Sequence, residues 1–372
     1  MMRIGITGSQ GLLGWHLSCF LSTQKDVEIK RGHRAEFESS SALSDFVKSC
    51  DVIIHCAGMN RGDESLVAQT NIKLTEQLVS ALKNSQVKQV LFANSTHIDR
   101  QTAYGESKRT SAKILGEWAK ESHGVFTDIV FPGIFGEQGK PFYNSVVSTF
   151  CHQIANGEKT EVHQDSEIEL IHASEASQIF WNAITNKTKE QLRPAGTKIR
   201  VTEVLVRITE FSKSYASNIV PDLRDDFDLY LFNTYRSYLF PKHYPVSLEL
   251  KSDPRGTLFE AEKNKNGGQA FVSTTVPGIT RGNHFHIRKI ERFCVIQGQA
   301  KIQIRKLYSD QVHEFDVSGI KPQYIDMPTL HTHNITNTGK DTLLTLFWSG
   351  DIFDPKNTDT YSLVVQRTTG SA

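Results

Sequence analysis

The 372-residue chain lacks the marks of several large protein classes. Its five cysteines, Cys19, Cys50, Cys56, Cys151 and Cys294, are odd in number, scattered, and nowhere spaced as a C-x-x-C pair. That argues against a disulfide framework or a thiolate zinc site and for a reducing compartment, the cytoplasm. Charge of one sign is also missing, since 42 Lys and Arg stand against 41 Asp and Glu. A net charge of +1 leaves no broad basic surface for nucleic acid or anionic lipid. No apolar run approaches the roughly 18 residues that cross a bilayer. The opening Met1-Met2-Arg3-Ile4-Gly5-Ile6-Thr7-Gly8 has no long apolar stretch with a small-residue cleavage site, so a signal peptide is not expected. Hydrophobic residues make up 38% and charged residues 22%, which suits a chain that buries a core, and the length suits two or three domains.

Two textures follow one another along the chain. Strands are expected at 3–7, 27–31, 51–56, 89–93 and 127–131, and helices at 11–22, 41–49, 65–84, 104–122 and 144–156. Strands alternating with helices predict a parallel α/β sheet covered on both faces. From Val246 short alternating runs appear instead, at 269–276, 291–297, 300–307 and 343–348, with turn pairs such as Pro277-Gly278 and Gln297-Gly298 between them. That pattern predicts a small antiparallel barrel or sandwich. Pro241 and Pro245 interrupt the pattern, which puts domain one at 1–243 and domain two at 246–372. The helical stretches 203–217 and 222–240 are assigned to domain one.

Three motifs in the first half carry chemistry. Thr7-Gly8-Ser9-Gln10-Gly11-Leu12-Leu13-Gly14 lies between a strand and a helix. Gly8 permits a tight turn, Gly11 lets the backbone approach a pyrophosphate, and Gly14 lets the helix pack on the sheet. The helix N-terminus opened by Leu12 and Leu13 faces the anion with free N–H groups. The second strand ends at Arg31, with Arg34 nearby and no acid in between. An acid there would suit the ribose of NAD, whereas Arg31 and Arg34 suit the additional phosphate of NADP(H). The third motif is Tyr104-Gly105-Glu106-Ser107-Lys108. Four-residue spacing puts Tyr104 and Lys108 on one helical face, where the ammonium is expected to lower the phenol pKa toward neutrality for proton transfer at a carbonyl. Just upstream, Asn94-Ser95-Thr96 offers a hydroxyl to hold the same oxygen.

These motifs resemble the extended short-chain dehydrogenase/reductase family over residues 1–240. His55-Cys56-Ala57-Gly58 looks like the family's strand end beside the adenine ribose, which adds Cys56 and Ala57 to the cofactor contacts. Asn71 and Phe131-Pro132-Gly133-Ile134-Phe135-Gly136 match other family positions. The resemblance implies a catalytic triad of Tyr104, Lys108 and either Thr96 or Ser95, with Lys108 also touching the cofactor. Nucleotide-activated sugars are the implied substrates.

The second half carries Gly282-Asn283-His284-Phe285-His286, then Glu291 and, far downstream, His333. Residues two apart on a strand share a face, so His284 and His286 are expected to point into the barrel. Three imidazoles and a carboxylate make a transition-metal site suited to zinc, iron, nickel or manganese. The spacing resembles the cupin metal motif over residues 246–361. His331 and His313 fall outside it and are expected at the surface. Asp253-Pro254-Arg255-Gly256 and Thr280-Arg281-Gly282-Asn283-His284 resemble pieces of metal-free sugar-nucleotide epimerases within the cupin superfamily, so His284 is either a ligand or a general base. Arg255 and Arg281 are candidate clamps for a substrate pyrophosphate.

An extended reductase followed by a cupin resembles one architecture over nearly the whole chain: the CapF-type bifunctional reductase/epimerase family of the UDP-N-acetyl-L-fucosamine pathway, which serves capsule and O-antigen. Lys140-Pro141-Phe142-Tyr143-Asn144-Ser145, His333-Asn334-Ile335-Thr336-Asn337 and Phe353-Asp354-Pro355 carry the likeness. The resemblance implies epimerisation at carbon 3 of a UDP-2-acetamido-2,6-dideoxy-hexos-4-ulose by the cupin. NADPH reduction at carbon 4 then gives UDP-2-acetamido-2,6-dideoxy-L-talose. It also implies a zinc ion, a homodimer and Asn144 at the substrate. The alternative is a single-activity NADPH-dependent 4-ketoreductase whose cupin only dimerises or binds metal.

Overall fold

The computed structural model describes residues 1–366 apart from 255 and 266. The chain divides into two compact units: Met1–Phe150 with Thr160–Leu205, and Cys151–Lys159 with everything from Val206 onward.

The first unit is built on β1 (Met2–Thr7), β2 (Val27–Gly32), β3 (Val52–His55), β4 (Gln89–Ser95) and β5 (Val125–Phe131). All five are parallel, in the order β2-β1-β3-β4-β5. The central strands carry short apolar stretches, such as Val52–Ile54 of β3 and Val90–Phe92 of β4, because both faces are covered there, whereas edge strand β2 is half-buried and carries Glu28, Lys30 and Arg31. Ile6, Ile54 and Leu91 bury against one face with Leu17 and Leu21 of α1 (Leu12–Leu21), while Ile53, Val90 and Phe92 face α2 (Ser40–Lys48), α3 (Glu64–Leu82) and α4 (Ala103–Ser122). The strand order reverses between β1 and β3, and the carboxyl ends of such strands open a ligand crevice. β6 (Gly133–Phe135), β7 (Glu167–His172) and β8 (Thr197–Arg200) form a small second sheet. α5 (Val146–Ala155) and α6 (Ala173–Thr185) complete the helices before residue 200, and α6 adds Phe180 and Ile184 to the α1 cluster.

The second unit contains most of α7 (Val201–Ala216), all of α8 (Asp226–Leu239) and an antiparallel barrel-like sandwich. Its strands are β9 (Val246–Ser247), β10 (Lys251–Asp253), β11 (Gly256–Leu258), β12 (Gln269–Thr275), β13 (Thr280–Phe285) and β14 (Glu291–Gln297), followed by β15 (Gln299–Lys306), β16 (Val312–Ser318), β17 (Gln323–Met327), β18 (His331–Asn337), β19 (Leu343–Ser349) and β20 (Tyr361–Ser362). Two five-stranded sheets, β12-β19-β14-β17-β9 and β16-β15-β18-β13-β20, enclose Phe293, Val295, Ile302, Ile304, Ile325, Ile335 and Phe347.

The contacts divide the chain at residue 205 rather than 243. The cause is a buried polar layer on the outer face of the barrel. Arg292 donates two bonds to Asp326, at 2.7 and 2.9 Å, and Tyr215 of α7 donates to the same carboxylate. Arg236 of α8 donates to Met327 O at 2.9 Å, and Asn233 donates to Arg288 O at 3.0 Å. Helices that satisfy such groups pack with the strands that carry them, and composition alone does not reveal that allegiance. His331 also departs from expectation: it is 2% exposed, with Nδ1 bonded to Thr329 O at 2.8 Å and its ring edge-on to Phe240.

Candidate functional site

In the first unit the site begins where β1 runs out. Gly8, Gly11 and Gly14 turn the chain into α1, and the Gly11 N–H donates to Gly8 O at 3.0 Å. Gly14 is required by close approach, since a Cβ there would sit 2.3 Å from Gly8 O. Cys56 and Ala57 lie against this turn, with the Cys56 N–H on Thr7 O at 3.3 Å and the Ala57 N–H on Thr7 Oγ1 at 3.2 Å. Leu12 and Leu13 form the first turn of α1, which has no acidic residue to compete for an anion. Arg31, near the end of β2, donates to Ser9 O in the glycine turn at 3.1 Å, whereas the Arg34 side chain is 93% exposed beside Glu38.

Beneath the loop runs a buried polar chain that the sequence reading missed. Thr7 Oγ1 meets His55 Nδ1 at 2.8 Å, His55 Nε2 meets Thr75 Oγ1 at 3.4 Å, and Thr75 donates to Ser111 of α4 at 3.0 Å. Burial, with a smaller contribution from Lys108, pushes the His55 pKa down to about 3. Asn71 holds Met59 at both its N–H (2.7 Å) and its carbonyl (2.9 Å), which fixes the loop after β3.

Thr102 caps α4 by accepting the Gly105 N–H at 3.1 Å, so Tyr104 and Lys108 fall in its first turns. Lys108 is buried and donates to Ala93 O at 2.7 Å, and its ammonium lies 5.9 Å from the Tyr104 ring centre. Burial lowers the lysine to about 8, against smaller raising effects of Cys56 and Asp128. The expected depression of Tyr104 is not present in this state. Burial and then Tyr143 raise it to about 12, because the ammonium is directed at a carbonyl and the phenol is desolvated. Ser95 closes β4 and accepts the His97 N–H at 3.3 Å, and Thr96 opens the following 3-10 turn. Asn94 supports this segment, accepting the Ser95 N–H at 2.8 Å while donating to Asp128 at 2.8 Å. Asn144 is exposed just before α5.

In the second unit His284, His286, Glu291 and His333 converge, each offering a ligand atom within 4.8 Å of the others. A β-bulge makes this possible. Arg281 pairs with Ile335 and Gly282 with Asn334, but after a register shift His284 pairs with His333. Paired residues share a face, so the inserted Asn283 brings His284 to the side of His333 and Ile335; strict alternation would have turned it away. Gly282 (φ 97°) and Asn283 (φ 58°) are both left-handed there. A Cβ on Gly282 would meet His333 O at 2.8 Å. The bulge also leaves Arg281 on the same face as His284, where its guanidinium bonds Thr275 Oγ1 and Thr274 O at 2.9 Å each. Arg255 lies outside the described residues.

Glu291 Oε2 stands 2.9 Å from His286 Nε2, 3.6 Å from His333 Nε2 and 3.8 Å from His284 Nε2. Although burial works to raise its pKa, the three imidazoles hold the carboxyl far below the usual carboxylate range. Burial lowers His333 to about 4, against the pull of Glu291. None of the three Nε2 atoms is in a well-formed hydrogen bond, although all are buried. His286 Nδ1 donates to Asp359 O at 2.6 Å and His333 Nδ1 to His331 O at 3.2 Å. A carbonyl cannot donate, so these bonds put the proton on Nδ1 and leave an Nε2 lone pair facing the cluster. Buried lone pairs around one carboxylate fit a divalent cation of zinc type.

Residues 4–193 match the family model described as NAD dependent epimerase/dehydratase family, and residues 251–361 match one described as polysaccharide biosynthesis C-terminal domain. The UDP-2-acetamido-2,6-beta-L-arabino-hexul-4-ose reductase of Pseudomonas aeruginosa (strain PA103) is 30% identical over 98% of this chain and 99% of its own length. The chain belongs to the NAD dependent epimerase/dehydratase family. Among solved structures, the capsular polysaccharide assembling protein CapF of Staphylococcus aureus aligns with a TM-score of 0.62 at 31% identity, covering 98% of this chain and 100% of that one. RMD of Pseudomonas aeruginosa, complexed with NADPH, shares the fold over 57% of this chain and 84% of its own, at a TM-score of 0.52 and 17% identity. Two relatives therefore match this epimerase/dehydratase-family chain over 98% of its length, and its parallel sheet is an NAD(P)-binding fold.

Two residues beside the histidine–glutamate cluster escaped the sequence reading. Lys289 Nζ lies 3.4 Å from Glu291 Oε1, on the side away from the imidazoles. Asp359 holds His286 from far along the chain. The extra positive charge two residues before Glu291 was visible as a residue, but nothing in its spacing marked it.

Proposed function

We propose that the chain is a bifunctional nucleotide-sugar enzyme. Its C-terminal unit inverts carbon 3 of a UDP-2-acetamido-2,6-dideoxy-hexos-4-ulose, and its N-terminal unit reduces the carbon-4 ketone to give UDP-2-acetamido-2,6-dideoxy-L-talose. The carrying observation is that one chain holds both a Tyr104/Lys108 pair beside a dinucleotide loop and a three-histidine, one-carboxylate cluster. The full-length match to a reductase named for a hexul-4-ose supports the same substrate class.

One carbonyl links the two chemistries. A ketone at carbon 4 acidifies the hydrogen at carbon 3, and reduction removes that acidity, so inversion comes first. Gly8, Gly11, Gly14, Leu12, Leu13, Cys56 and Ala57 would hold the dinucleotide, with Arg31 and the exposed Arg34 at an additional ribose phosphate. Bound NADPH supplies the hydride. Tyr104 gives its proton to the carbonyl oxygen, a Ser95 or Thr96 hydroxyl orients that oxygen, and the Lys108 charge favours the phenolate left behind. His284, His286, Glu291 and His333 would hold zinc, which supplies Lewis-acid polarisation of a carbonyl oxygen when bound. The approach of His284 Nε2 to Glu291 at 3.8 Å favours its reading as a ligand over that of a base. Asn144, Arg281 and Arg255 are assigned to the nucleotide sugar. A homodimer is part of the proposal, and light scattering on the purified chain tests it.

The deciding experiment is product NMR after incubation with a UDP-4-keto-6-deoxy-N-acetylhexosamine in deuterated water, with and without NADPH. Tyr104→Phe is expected to cut NADPH oxidation by roughly 10²–10⁴-fold while deuterium still enters carbon 3. His333→Ala is expected to stop that exchange. Exchange lost in a folded Tyr104→Phe protein, or kept in His333→Ala, would overturn the division of labour.

A further inference from the structure

The segment just before β20 touches the cation cluster at two levels. Asp359 is 6% exposed, and its carboxylate accepts three consecutive backbone N–H groups: Ile287 at 3.1 Å, Arg288 at 3.0 Å and Lys289 at 2.8 Å. Those residues form the turn between His286 and Glu291. The carbonyl of the same residue accepts the His286 Nδ1 proton at 2.6 Å. Asp359 holds left-handed backbone at φ 43°, which presents carboxylate and carbonyl to one turn. Lys289 adds a tie, with Nζ 3.1 Å from Thr360 Oγ1 and 3.4 Å from Thr358 O. A ligand pair only five residues apart needs its intervening backbone fixed, and an imidazole needs its tautomer fixed, before either can meet a cation without reorganisation.

We propose that Asp359 is a positioning residue of the cation site, holding the 287–289 turn and the Nδ1–H tautomer of His286 so that both ligands are preorganised. The proposal rests on the reading of His284, His286, Glu291 and His333 as cation ligands. Asp359 touches neither the cation nor the substrate; it acts through His286 and the turn.

Asp359→Asn is the informative variant, because asparagine tolerates the left-handed backbone yet has one acceptor oxygen for three N–H groups. Cobalt(II) titration of the full chain, followed by its visible absorption and by competition with a chelator, gives the dissociation constant and the coordination signature. Wild type is expected to bind one ion, and Asp359→Asn to bind it roughly 10–100-fold more weakly with an altered spectrum. Long-range nitrogen–proton NMR of metal-free wild type is expected to show His286 protonated at Nδ1, a readout that needs no variant to fold. Wild type that binds no cobalt would sink the cation-site reading and this inference with it. Wild type that binds, with Asp359→Asn within threefold of it or with His286 protonated at Nε2, would sink this inference alone.

Discussion

A single buried ammonium is expected to set the pH behaviour of the proposed ketone reduction. Lys108 has no carboxylate within bonding distance among the described residues; it bonds a carbonyl and lies 4.5 Å from the Phe92 ring centre. Desolvation therefore outweighs compensation and brings it from 10.5 to about 8. In the proposed mechanism the working form is the charged one, because it favours phenolate on Tyr104. Raising the pH through about 8 discharges it, so kcat/KM for ketone reduction is expected to be flat below that value and to fall up to tenfold per unit above it. Initial rates of NADPH oxidation across pH 6–10, about the span needed to bracket both arms, check this. Lys108→Met is expected to lose the limb together with most of the rate. The same shift has a stability consequence. Between about 8 and 10.5 the unfolded chain keeps a proton the folded chain has released, so apo stability is expected to rise with pH across that window. A chemical-denaturation midpoint that falls over those values would contradict the burial argument.

At the scale of elements, the bulge in β13 decides whether the second site exists. Gly282 is the residue there that cannot be replaced cheaply, because its φ of 97° and its 2.8 Å approach to His333 O both exclude a Cβ. Gly282→Ala is expected to cost about 1–3 kcal/mol and to loosen the His284–His333 pairing. Urea denaturation of the metal-free chain measures the first effect and cobalt affinity the second; a neutral result in both would show that β13 relaxes without the bulge. This element also marks the limit of what could be read from residues alone. Period-two spacing placed His284 and His286 together, and their rings are 5.1 Å apart, yet the path there needs a register shift that alternation does not contain. Helix α4 was legible because Tyr104 and Lys108 follow local i, i+4 spacing; its cap Thr102 was not singled out. The parallel sheet was legible because short β-branched strands alternate with longer helical stretches over the first half of the chain. Asp359, the burial of His331 and the packing of α7 and α8 on the barrel were not legible. Each depends on a partner distant in sequence, such as Asp326 for Tyr215 or Phe240 for His331, and no local period encodes that pairing.

At the scale of the whole molecule, the two sites draw their residues from different compact units, so their ligands are expected to stabilise different parts of the chain. The dinucleotide loop, Arg31, Tyr104 and Lys108 all lie in Met1–Phe150. The four candidate cation ligands come from β13, the turn after it, β14 and β18, all beyond Val206. A ligand that binds only folded protein adds RT ln(1 + [L]/Kd), about 2.7 kcal/mol at a hundredfold excess over Kd. For a unit of this size each kcal/mol corresponds to roughly 2–4 °C in midpoint. Calorimetry on the metal-stripped chain is therefore expected to show one transition that zinc raises by about 5–10 °C and another that NADPH raises by a similar amount, with little crossover. The cation should matter more for its unit, because without it the cluster leaves three buried Nε2 atoms facing a single carboxylate. His333→Ala is expected to abolish the zinc shift and spare the NADPH shift, and Gly14→Val to do the reverse, since its side chain would collide with Gly8 O in the cofactor turn. If zinc and NADPH instead moved one common transition by the same amount, the two units would be unfolding as a single cooperative body, and the separate assignment of stability to each site would fail.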